Sequence, residues 1–315
     1  VTLILTAVSD AVSIWYCFKK LHMRITFGRF DFGLLRDMAG FSFFIFLNEI
    51  INQINWTVDT TLLGIISGTA ATAIYGVGSQ INQYYMALST SISGVFTPQI
   101  NRIVARGEGD EQLTKLFTRV GRIQFMLLML VLTGFVFVGN PFICAWGGEE
   151  YGAAYWIALL LIVPVTVPLI QNIGIEIQRA KNMHQFRSKV YFCMAIGNAL
   201  VSIPLGMKFG GIGCALGTAI SMVVGNGFIM NWYYQTHIGL DMRYFWKHIL
   251  SIVPAMLPAV ALGIIAVRLH TFTGYAGVVT FAVPYAAVYA VGLYLFAMDE
   301  SEKDMVRGVM RKIRR

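Results

Sequence analysis

The twelve residues Asn48-Glu-Ile-Ile-Asn-Gln-Ile-Asn-Trp-Thr-Val-Asp59 carry six amide or carboxylate side chains inside a hydrophobic run. At 100° per residue, Asn48, Asn52, Asn55 and Asp59 share one helix face within an arc of about 60°. Glu49 and Gln53 flank that arc, and Leu47, Ile50, Ile51, Ile54 and Val58 take the other face. The stripe rises about 16 Å, roughly half the hydrocarbon thickness of a bilayer. Amides both donate and accept without fixed charge, which suits a ligand rich in hydroxyl groups. An Asp at mid-membrane costs about 2.5–3.5 kcal/mol on the insertion scale, so the stripe must face other helices or a water-filled cavity.

Further polar side chains interrupt other apolar runs. Gln80 and Gln83 share a face with Tyr84, beside Asn82 and Tyr85. Gln171, Glu176 and Gln178 precede Arg179 and Lys181, and Asp10 sits between Ser9 and Ser13 in the first run. A substrate pathway is expected to use Asn48, Glu49, Asn52, Gln53, Asn55, Gln80, Gln83, Tyr84 and Gln171. Asp59, Glu49, Asp10 and Glu176 are the ionisable positions for a coupling proton or sodium ion, because an intramembrane carboxylate reads as functional by default. Asn198 and Asn226, set among Gly197, Gly225 and Gly227, read instead as bonds between packed helices.

The elements that carry these residues follow from the composition. Of 315 residues, 57% are hydrophobic and 13% charged, against about a quarter charged in soluble domains. Apolar runs of bilayer-spanning length recur over 2–18, 38–63, 71–97, 120–139, 153–178, 188–206, 211–233, 248–267 and 276–297. Unbroken runs predict helices, since barrel strands alternate residue by residue. The fold class is therefore all-α, a polytopic transmembrane bundle of about nine helices.

Charge supports the same count. The loops 19–37, 98–122, 179–189, 234–247 and 298–315 hold 22 of the 24 Lys and Arg residues, while the alternate loops hold only Lys208 and Arg268. That alternation is the positive-inside pattern and predicts that the basic loops and the C-terminus are cytoplasmic. It assigns the net charge of +8 to membrane topology, so no nucleic-acid partner is expected. Cys17, Cys144, Cys193 and Cys214 are scattered, and the five histidines lack ligand spacing. No catalytic or metal motif stands out, so the expectation is a non-enzyme without a resident cofactor.

Between the spans, 27–42 mixes Phe, Leu and Arg as a helix on the membrane surface would. Residues 101–124 read as a helix end, a Gly-Glu-Gly-Asp turn and an amphipathic approach to the next span. Pro164, Pro168, Pro254, Pro258 and Pro284 fall inside spans, where each permits a kink. "LTAVSDAV" (5–12) echoes "GTAISMVV" (217–224), as matching helices of two repeats would. Val1 lies at the start of a hydrophobic span without a charged leader, so the chain is expected to be the C-terminal part of something longer.

"VDTTLLGIISGTAATAIYGVGSQI" (58–81), "FTPQINRIVARGEGDE" (96–111), "WGGEEYGAAYW" (146–156), "QRAKNMHQFRSK" (178–189) and "GNALVSIPLGMKFGGIGCALGTAIS" (197–221) resemble successive landmarks of one family. It is the bacterial polysaccharide and O-antigen flippases, within the multidrug, oligosaccharidyl-lipid and polysaccharide exporter superfamily. The resemblance covers essentially the whole chain. It implies a fourteen-helix, two-lobe transporter with both ends cytoplasmic, of which these spans are the sixth to fourteenth. Residues 1–18 would be the last helix of the N-terminal lobe and 19–37 an interlobe loop. Residues 38–233 would form a six-helix C-terminal lobe, 248–297 two additional helices and 298–315 a basic tail. The implied activity is alternating-access flipping of a polyprenyl-diphosphate-linked oligosaccharide from inner to outer leaflet of the bacterial cytoplasmic membrane. Arg179 and Lys181 would meet the diphosphate through charge-assisted bonds. Other implied partners are membrane lipids alone, with a monomer at full length. A cation-coupled multidrug exporter, which the acidic residues would suit, and a non-transporting scaffold are the alternatives.

Overall fold

The structure, a computed structural model, describes residues 2–20, 32–183, 185–300, 302–304 and 307–308. Most of these residues are helical, and none of them lies in a strand. The elements are α1 (Thr2–Lys19), α2 (Phe32–Ile66), α3 (Gly68–Arg106), α4 (Asp110–Gly147), α5 (Ala154–Ile170), α6 (Ile173–Ala180) and α7 (Gln185–Met222). The last continues through wide π-helical turns, Val223–Met230 and Tyr234–Ile238, with the single turn α8 (Asn231–Tyr233) between them. α9 (Met242–Leu250), α10 (Val253–Leu269) and α11 (Gly274–Phe296) complete the described helices. Among the described residues, four helical stretches are long and apolar enough to cross a bilayer, or five when the bent pair α5 and α6 counts as one.

The chain forms two units, Val1–Asn48 and Glu49–Arg315. The first holds α1, whose described side chains are almost all exposed, and the first turns of α2. The stretch read as a surface helix over 27–42 is different in its described part: from Phe32 it runs without a break into α2. Its Phe and Leu residues continue the apolar run, so nothing in the sequence stops the helix there.

In the second unit, glycines and prolines set the helix ends. Gly107 at φ 64° closes α3, donating its N–H toward Ile103 and Val104 carbonyls, and Gly109 at φ 91° leads into α4. Asp110 and Glu111 then occupy the first turn of α4, where the helix dipole favours acid. This is the Gly-Glu-Gly-Asp turn that the sequence predicts. Pro164 and Pro168 lie in α5, and the chain bends 43° between α5 and α6. Ser89 on α3 donates to the Leu169 carbonyl at 2.8 Å, near the end of α5. The turn between the sixth and seventh apolar runs is confined to Gly210 (φ 58°, ψ −136°), which splits α7 into two antiparallel halves.

The core lies where α3, α4 and α5 pack together with α9, α10 and α11, around residues such as Phe117, Val120, Ile170, Tyr234 and Phe245. A smaller apolar cluster of Leu63, Tyr75, Ile157, Leu161, Cys214 and Ala215 joins α2, α3, α5 and α7. Behind α11, the chain is tied back by a buried ion pair. Arg122 Nε and Nη2 donate to the two Glu302 oxygens at 2.9 Å each, while Nη1 and Nη2 also bond His248 O (3.0 Å) and Ala297 O (2.7 Å). Glu302 is itself set by reciprocal bonds with Asp299, a capping box that starts the final helical turn.

Candidate functional site

Asp59 is a carboxylate buried inside an apolar stretch of the bundle. It sits near the end of α2 with a relative exposure of 1%. Its Oδ2 accepts from Tyr75 Oη on α3 at 2.6 Å and from Thr218 Oγ1 in the second half of α7 at 2.5 Å. Hydrogen bonds to a charged acceptor contribute about 1.5–3 kcal/mol each, which offsets much of the burial cost. Oδ1, however, is buried without a hydrogen-bond partner. Among the described residues, no basic side chain lies within ion-pair distance of this carboxylate.

A second shell of oxygens continues from the two hydroxyls. Thr218 Oγ1 lies 3.2 Å from Asn198 Oδ1, and Ser202 Oγ donates to the same Asn198 atom at 2.8 Å. Ser202 Oγ also approaches the Cys214 carbonyl at 3.3 Å. Asn198 and Ser202 are one turn apart on the first half of α7, and Cys214 and Thr218 one turn apart on the second. The halves meet this closely because of glycine: a Cβ on Gly217 would lie 2.9 Å from the Ser202 backbone. Gly213 and Gly217 thus form a small-xxx-small contact between membrane helices. The result is a cluster of oxygens from a carboxylate, hydroxyls, an amide and a carbonyl, with one acceptor left open. Such a set can hold a proton on Asp59 or a small hard cation, which prefers oxygen ligands.

Asn198 and Thr218 also line a cavity of about 300 Å³ between α3, α5, α6 and α7. Arg187, in the first turn of α7, lines its other end. Its Nη2 donates to Tyr191 Oη at 2.7 Å, with the guanidinium over that ring at 4.3 Å, and Tyr191 Oη donates to Asn226 Oδ1 at 2.8 Å. Asn226 is held in turn by Asn231, whose Oδ1 accepts from Gln171 Nε2 and Trp246 Nε1.

The other sequence-selected residues occupy several environments. The side chains of Asn48, Glu49, Asn52 and Asn55 lie outside those described, and Gln53 is exposed. On α3, Gln83 and Tyr84 are exposed and Gln80 is half-buried, whereas Asn82 and Tyr85 face inward. Gln171 is buried in the Asn231 contact. Glu176 pairs with Arg179 at 2.9 Å, and Lys181 bonds Asp110 at 2.5 Å and Ile238 O at 2.7 Å. Asp10 is exposed in the first unit. Tyr75, Ser202 and Thr218 were not selected from sequence, although the Thr218 and Asn198 neighbourhoods are both glycine-rich.

Comparison with known proteins gives three matches. The sequence family described as polysaccharide biosynthesis protein matches residues 2–156. A probable flippase, AglR, of Haloferax volcanii is 26% identical over 174 residues, covering 54% of this chain and 36% of that protein. The fold is similar to that of the lipid II flippase MurJ in its inward closed conformation, with a TM-score of 0.67, 16% identity, and coverage of 85% of this chain and 56% of that one. The chain therefore spans about a third of the length of the curated relative and somewhat over half of the solved chain. Residues 2–156, just under half of the chain, thus match the polysaccharide biosynthesis protein family, and most of the chain shares a helical transporter fold with MurJ.

Proposed function

We propose that this chain is part of a transporter that flips a polyprenyl-diphosphate-linked oligosaccharide from the inner to the outer leaflet for cell-surface polysaccharide synthesis. Transport proceeds by alternating access and is driven by a cation bound at Asp59. The observation that carries the coupling is the open, buried Oδ1 of Asp59 beside Tyr75, Thr218, Asn198, Ser202 and the Cys214 carbonyl. The donors are neutral oxygens around one carboxylate, so a monovalent cation leaves the cluster uncharged, and sodium fits this set as well as a proton does. A bound ion would draw α2, α3 and both halves of α7 onto one centre. That is the kind of differential contact by which a ligand shifts a conformational equilibrium.

The sugar path follows the amide stripe of Asn48, Glu49, Asn52, Gln53 and Asn55 together with the Gln80, Gln83 and Tyr84 face of α3. Gln171, buried against Asn231, belongs to the same proposed path. Glu176, Arg179 and Lys181 stand on the basic side, where Arg179 is the more exposed cation for the diphosphate. Asp10 and Glu49 are secondary cation positions. The protein resides in the bacterial cytoplasmic membrane with its basic C-terminus inside, and works as a monomer at full length. The multidrug reading is less well supported, because the deep carboxylate is closed behind Thr218 and the adjoining cavity carries a guanidinium.

The test is depletion of the full-length protein in its host. Polyprenyl-linked saccharide, quantified by mass spectrometry, is expected to accumulate while sensitivity to cationic dyes stays unchanged. Dye sensitivity without such accumulation would overturn the flippase reading in favour of drug export.

A further inference from the structure

Arg187 is half-buried in the cavity wall, and among the described residues no carboxylate lies within ion-pair distance of it. The other described cations that are not exposed, Arg122, Lys181 and Lys303, each pair with an acid. Holding an unpaired guanidinium inside a membrane bundle is costly, and such groups mark ion or substrate paths. Here its contacts are neutral, the Tyr191 hydroxyl and ring, and Tyr191 in turn reaches across to Asn226 on the other half of α7. The chain Arg187–Tyr191–Asn226 therefore bridges the two halves of α7 at one end of the cavity. At the other end of the same cavity, Asn198 and Thr218 are the direct neighbours of the Asp59 cluster.

We infer that this cavity is the route by which the cation reaches and leaves Asp59 from the side of the basic loops, and that Arg187 is its electrostatic guard. This rests on the reading of Asp59 as the coupling-ion site. A fixed positive charge at the mouth repels an entering cation and favours its release, while the Asp59 cluster attracts it. Along α7, the guanidinium level near Tyr191 and the Arg187 backbone lie roughly 10–16 Å from Asn198. A unit charge at that distance, with an effective dielectric near 20, lowers cation affinity about six- to seventeenfold. The amide and hydroxyl groups between the two ends, from Thr90, Asn172 and Ser221, supply a wettable wall. Arg187 is thus a positioning charge for release and does not touch the bound ion.

The test uses the purified full-length protein in nanodiscs. Thermal stabilisation is titrated with Na⁺ against choline at constant ionic strength. For Arg187→Gln the Na⁺ midpoint is expected to fall about six- to seventeenfold, while Arg187→Lys, which keeps the charge, stays at the wild-type value. Asp59→Asn is expected to remove the Na⁺ dependence. An unchanged midpoint in Arg187→Gln, with Asp59→Asn still abolishing the response, would overturn the guard and leave the ion site standing. No Na⁺ response in the wild type would overturn the guard together with a sodium site at Asp59, leaving only a proton there. If Arg187→Gln fails to fold, Arg187→His, titrated beside the wild type at about pH 8.5 where an imidazole is neutral, removes the charge and keeps a polar ring. It must then shift the midpoint in the same direction, and no shift would again overturn the guard.

Discussion

Removal of Glu302 is expected to destabilise the second unit far more than loss of a surface acid would. The Arg122 and Glu302 side chains are 8% and 4% exposed, so their pairing is interior rather than superficial. Glu302→Leu strips two charge-assisted bonds from the guanidinium and leaves it against the His248 and Ala297 carbonyls. Breaking a buried pair from one side costs about 3–5 kcal/mol, because the surviving charge stays buried. Arg122→Met costs a similar amount, since among the described residues Glu302 then keeps the Asp299 N–H, at 3.0 Å, as its donor. The double variant Arg122→Met with Glu302→Leu removes both charges and is expected to lie closer to wild type than either single. Unfolding of the full-length protein in mixed micelles, followed by far-UV circular dichroism, reads all four corners of this cycle. Single-variant losses below about 1 kcal/mol, or strictly additive losses, would refute the reasoning and make the pair equivalent to an exposed one.

Thr218→Val and Tyr75→Phe each remove one donor to Asp59 and are expected to destabilise the ion-free protein by about 1.5–3 kcal/mol. In an Asp59→Asn background the same changes should cost only about 1 kcal/mol, because the bond is no longer charge-assisted; thermal melts compare the two series. Gly217→Val would force apart the halves of α7 against Ser202 and is expected to lower folded yield, at a cost of about 1–3 kcal/mol. Gly76→Ala, which meets open space, is the matched control and should be tolerated in the same expression and gel-filtration assay.

Much of the helical architecture is legible residue by residue because lipid demands it. Each of the nine apolar runs coincides with a described helix or a broken pair of helices, and Gly107, Gly109 and Gly210 sit at the turns between them. Asp59 is legible for the same reason: a carboxylate has little other business in such a run. Its partners are not. Ser202 and Thr218 become its neighbours only through the turn at Gly210 and the tight approach at Gly217, and Tyr75 through the break between α2 and α3 at Gly68 (φ 78°), which are tertiary facts. Arg187 reads from sequence as one more loop cation, since hydropathy cannot distinguish a charge facing water from one lining a cavity. The Arg122–Glu302 pair spans 180 residues, a separation over which local pattern carries no signal. The helical start of α2 at Phe32 departs from the surface-helix reading because an amphipathic approach and an apolar span have the same helical period.

The most direct measurement is flipping of a lipid-linked oligosaccharide by the full-length protein in proteoliposomes, with and without an imposed sodium or proton gradient. The account predicts that the wild type responds to one of these gradients and that Asp59→Asn, inserted to the same level, flips at a rate the gradient no longer changes. Equal gradient-driven rates for the two proteins would contradict the assignment of Asp59 as the coupling site.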